Sequence, residues 1–241
     1  MPSRKSPHHK DPIRVLTKHQ DATTKEIIYR VQLHDQIKYI SVAPTTYPPK
    51  TEINIPIPHL SAFGTHNAAR AYRTKPDHHF KYTFEHWPGV KRSFLWHPTH
   101  IHCPNWEDPL TLSTAIRTAL PPSIATSTCY TKFNLINITE LETETMIYRL
   151  LKNNNILHLA PEFRGHLNEN GRVMGFVLQK VGEGRPSGVD FEACRGVLQR
   201  YHELGLLHGN ITKEHFLIQA DGTARMVRSS RYQASGIASW Q

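Results

Sequence analysis

The sequence predicts an α+β protein whose N-terminal part is rich in strands. Three patterns support this. Over 27–42, "IIYRVQLHDQIKYISV" alternates two faces about a His34-Asp35-Gln36 turn, as a β-hairpin does. Over 139–151, and again over 191–201, apolar residues recur at the spacing of one helix face. Between those helical stretches, "GHLNENGRVMGFVLQKV" reads as a second hairpin turning at Asn170-Gly171.

In chain order, residues 1–20 carry Arg4, Lys5, Lys10, Arg14 and Lys18 against Asp11, with Pro2, Pro7 and Pro12 interrupting any helix. This predicts a basic flexible tail. Residues 21–110 follow as a β-rich extension: the first hairpin, a stretch broken by Pro44, Pro48, Pro49, Pro56 and Pro58, then strands near 79–86 and 90–96 parted by Pro88-Gly89. Residues 111–241 make the third part. There "SIATSTCYTKFNLI" is β-prone, with Ile124, Thr126, Thr128 and Tyr130 on one face and Ala125, Ser127, Cys129, Thr131 and Phe133 on the other. "TELE" at 139–142 reads as a capping box, Thr139 at the N-cap and Glu142 at N3, opening a helix that Asn153-Asn154-Asn155 ends. A central strand is expected over 172–181. Asp190 should cap a helix bearing the stripe Phe191, Cys194, Leu198 and Tyr201, and Gly205 should supply its left-handed C-terminal residue.

Composition narrows the function classes. Hydrophobic residues make up 38% of 241, enough to build a core, so a wholly disordered chain is excluded. No apolar run approaches the roughly 18–20 residues of a membrane span, and "MPSRKSPHHK" lacks the apolar region of a signal peptide. The expectation is a soluble protein of the cytoplasm or nucleus. Cys103, Cys129 and Cys194 are an odd, scattered set that suits a reducing compartment. The net charge of +9 arises from dispersed Lys and Arg without long basic runs, so nucleic acid is not the expected partner.

The stretches "ETETMIYRLLKNNNILHLAPEFRGHLNENGRVMGFVLQKV", "FEACRGVLQRYHELGLLHGN" and "HFLI" occur in order and at compatible spacings. Together they resemble the protein-kinase-like superfamily, and most of all a fungal branch of small, divergent kinase-like proteins. The resemblance implies a two-lobed protein-kinase-like fold with a small lobe over 111–181 and a truncated large lobe over 182–241, preceded by the β-rich extension. It also implies roles. Lys132 in "CYTKF" stands where a strand lysine holds nucleotide phosphates, and Glu144, on the face of Ile147 and Tyr148, stands where a helix glutamate pairs with it. Glu142 is assigned to the cap and Glu140 to another direction.

In "LHGNITKEHFLI" the chemistry departs from that pattern. Asn210 occupies the place of the catalytic aspartate, and an amide oxygen is no general base. His215 occupies the place of the metal-binding asparagine, and imidazole is a poor ligand for the hard Mg²⁺ ion. With Asp221-Gly222 at the next turn, Arg228 falls where a metal-binding aspartate belongs, and a guanidinium repels Mg²⁺ while suiting a phosphate. The glycine-rich phosphate cradle is also missing, since no glycine lies between Gly89 and Gly165.

The expectation is a pseudokinase acting as a binding or regulatory module. Lys132, Glu144 and Arg228 would line a vestigial cleft for ATP without Mg²⁺, and no metal is expected. A protein or a phosphorylated small molecule is the expected partner. Two alternatives stand beside it. One is an active ATP-dependent phosphotransferase with an atypical loop. The other is a basic, His-rich scaffold binding metal or nucleic acid, in which His97, His100, His102 and Cys103, with His78, His79 and His86 upstream, would be the zinc ligands.

Overall fold

The computed structural model describes residues 13–21, 24–43, 57–73, 79–102, 117–119, 129–135, 137–179, 181, 184–209, 211–227 and 233–234. It is a mixed α and β structure with a β-rich N-terminal region. The chain divides into two compact units, Met1–Trp87 with Pro104–Leu112, and Pro88–Cys103 with Ser113–Gln241.

The first unit holds β1 (Arg14–Gln20), β2 (Ile27–Leu33), β3 (Gln36–Val42), the short helix α1 (Leu60–Phe63), β4 (Ala68–Tyr72) and β5 (Lys81–Glu85). They form one sheet in the order β1-β2-β3-β4-β5, antiparallel except where β4 lies parallel to β3. The expected hairpin is β2–β3, closed by Leu33 opposite Gln36, with His34 in the left-handed region at φ 58°. Tyr29, Val31, Leu33, Ile40, Val42, Ala69 and Ala71 cluster with Phe63 of α1. Residues 14–20, expected in the tail, are instead a strand. Their polar side chains hide the alternation, but β2 offers a free edge and pairs with them from Arg14↔Gln32 to Gln20↔Ile27.

The second unit holds β6 (His100–His102), β7 (Arg117–Ala119), β8 (Cys129–Phe133), α2 (Ile138–Asn153), β9 (Phe163–Glu169), β10 (Arg172–Gln179), α3 (Phe191–Glu203), β11 (Leu206–Leu207), β12 (Phe216–Ile218), β13 (Ala224–Met226) and β14 (Gln233–Ala234). Its main sheet runs β6-β9-β10-β8-β7. Two small ladders, β11–β14 and β12–β13, follow α3. The core joins Leu141, Ile147, Tyr148 and Leu151 of α2 to Phe163, Val173, Phe176 and Leu178 of the sheet and to Val197 and Tyr201 of α3.

Several expectations are corrected here. The extension expected over 21–110 is interrupted, because Pro88–Cys103 belongs to the second unit: Val90 N–H donates to Val173 O at 2.8 Å, and Arg172 Nε donates to Pro88 O at 2.9 Å. No strand covers 90–96. A 3-10 turn at Arg92–Phe94 replaces it, since the Lys91 amide is drawn to Glu142 Oε1 (2.9 Å) and Arg149 holds Ser93 O (2.8 Å). Of the strand expected near 123–136, β8 is the described part, and the face pattern over 124–128 lies outside the described residues. The N-cap of α2 is Asn137, not Thr139: Asn137 Oδ1 accepts from Glu140 N–H at 3.2 Å, while Glu142 is engaged with Lys91. The second hairpin is as expected. Asn170 and Gly171 hold φ of 49° and 83°, between paired Glu169 and Arg172. α3 begins after Asp190, yet that carboxylate turns back to accept from Ser187 N–H and Oγ–H, both at 2.8 Å, and leaves the helix uncapped by a side chain. Gly205 follows the helix at φ 73°, its N–H bonded to His202 O at 2.8 Å.

Candidate functional site

The buried charge centre is built from β8 and α2. On β8, Lys132 lies opposite Phe176 of β10, and its side chain meets Glu144 of α2 in a direct ion pair. Both are sequestered, Lys132 at 3% exposure and Glu144 at 1%. Glu140, one helical turn earlier, brings Oε1 to 3.8 Å from Lys132 Nζ, so it points at the lysine and not elsewhere as its sequence context suggested. One turn beyond Glu144, the phenol of buried Tyr148 titrates well above its ordinary range, first through burial and then through the charges of Glu144 and Tyr201. The pair therefore sits in a dry environment where its charges must satisfy each other.

Gly175 makes this packing possible. Any Cβ there would lie 2.3 Å from Lys132 O and 2.4 Å from Phe133 Cβ, so β10 can approach β8 at the lysine only without a side chain. The register shift between Val173 and Gly175 places this contact at a bulge.

The loop after α3 forms a second polar cluster. His208 is buried, and Gly209 takes a left-handed φ of 52°. Across a 3-10 turn at Lys213–His215, His215 Nδ1 accepts from Thr212 N–H at 3.0 Å and lies 3.0 Å from Thr212 Oγ1. Its ring stands edge-on to His208 with centroids 4.5 Å apart. The His215 carbonyl accepts from Val227 N–H at 2.8 Å, extending the β12–β13 hairpin. That hairpin turns at Asp221-Gly222, as the sequence predicts: Gly222 has φ 80°, and Asp221 Oδ1 accepts from Thr223 N–H at 2.9 Å. His215 is thus a clasp for its own turn. Asn210 and Arg228 lie outside the described residues.

Among the sequence-predicted positions, then, the structure joins Lys132 and Glu144 and places His215 against Thr212 and His208. The residues missed were Glu140, whose four-residue spacing from Glu144 was a legible sign of a shared face, and Gly175, for which local sequence offers no sign.

The histidines singled out by sequence divide. His78 and Cys103 lie outside the described residues, and His97 and His100 converge instead on His166 of β9. His166 Nε2 accepts from His97 N–H at 3.3 Å, and its ring centroid lies 5.5 Å from His100 and 5.1 Å from Phe163. Burial, followed by the charges of His100 and His97, lowers the His166 pKa to about 4. Among the described residues no group of three or more His, Cys, Asp or Glu side chains is arranged to hold a metal ion, and no helix is long and apolar enough to cross a membrane.

Compared with known proteins, the chain matches no family model and no curated protein.

Proposed function

We propose that the second unit is a catalytically impaired, protein-kinase-like two-lobed domain with a short large lobe, acting as a binding or regulatory module. The support is the order of its elements: a strand with a buried lysine, a helix with the partner glutamate, a two-stranded hairpin, a connector, a helix, a loop and a short hairpin. Asp221-Gly222 at the last turn favours the register that assigns Arg228 to the metal-binding aspartate's place.

The observation that carries the reading of impairment is the loop after α3, where His215 Nδ1 is engaged by Thr212 and, in the sequence, Asn210 stands where phosphoryl transfer needs a base. The buried ammonium of Lys132, paired with Glu144 and near Glu140, keeps the lysine–glutamate arrangement of the kinase-like pattern. For a nucleotide held without metal, Arg228 would offer the phosphates a guanidinium where the kinase-like pattern has a metal-binding carboxylate.

A thermal-shift titration with ATP, with and without Mg²⁺, together with a turnover assay, tests the reading. The expected result is no Mg²⁺-dependent stabilisation and no hydrolysis or transfer. Metal-dependent stabilisation with turnover that Lys132→Met abolishes would establish an active phosphotransferase instead.

A further inference from the structure

We draw no further inference here: the strongest candidate, the apolar groove of about 500 Å³ between Phe191, Cys194 and Leu198 of α3 and Ile211 of the following loop, has its lining cations Arg195 and Lys213 countered by Glu192 and Glu214, and nothing in the structure shows what covers it.

Discussion

Helices α2 and α3 handle polarity in opposite ways. α2 carries carboxylates inward, with Glu142 and Glu144 both buried, whereas α3 carries Phe191 outward at 64% exposure. Each departs from the simple rule that apolar residues go in and charges stay out. The difference lies in what each face meets. The inner face of α2 meets the Lys132 ammonium and the Lys91 amide, which compensate the carboxylates. The first turns of α3 meet a groove, while its later turns pack Val197 and Tyr201 into the core. Burial therefore follows partners more than residue type.

The largest test of this contrast removes a partner. Glu144→Ala leaves Lys132 buried with only the more distant Glu140, and is expected to lose about 3–5 kcal/mol of unfolding free energy in urea denaturation. Replacing both partners, Lys132→Met with Glu144→Leu, should recover most of that loss, because the cost lies in an uncompensated charge and not in the missing bond. A single variant as stable as the original chain would mean that the pair is not dry.

A smaller effect follows from His166, a buried ionisable group whose neighbours, His97 and His100, repel its charge. Its folded pKa of about 4 lies below the ordinary histidine value of 6.5, so the unfolded chain binds this proton first as the pH falls. Above about pH 6.5 the group contributes nothing. Between there and about pH 4 stability should fall by roughly 1.4 kcal/mol per pH unit, on the order of 3 kcal/mol in all, and then level off. Denaturation midpoints measured across that range for the original chain and for His166→Phe should differ in slope, the variant being flatter.

The smallest expected effect is at the exposed end of α3. Phe191→Ser should change unfolding free energy by no more than about 0.5 kcal/mol, since the side chain already faces water. A loss well above that in chemical denaturation would show that the groove is part of the core and would remove the contrast between the helices.

Much of this organisation is legible locally. Asn170-Gly171 announces its hairpin because both residues tolerate the left-handed backbone that a two-residue turn requires. Lys132 and Glu144 are singled out by the resemblance to kinase-like proteins, with Glu144 chosen because it shares a helix face with Ile147 and Tyr148. The candidate site was only partly legible. Glu140 is hidden because the sequence offers Glu142 as the N3 member of a capping box, whereas the cap is Asn137 and Glu142 holds the Lys91 amide. The strand expected over 90–96 does not form because the Val90 and Lys91 amides bond to Val173 O and Glu142 Oε1, far along the chain. β1 was missed because pairing with β2, not an apolar face, makes it a strand.

The amino-acid order by itself determined the turns and the helical faces, since these rest on neighbours within a turn or two. The tertiary structure decided which carboxylates enclose Lys132, that β10 needs Gly175 to reach it, that His215 clasps Thr212, and that the start of α3 is left open. Those outcomes depend on groups remote in sequence whose approach sets burial and pairing, and no local pattern encodes that distance.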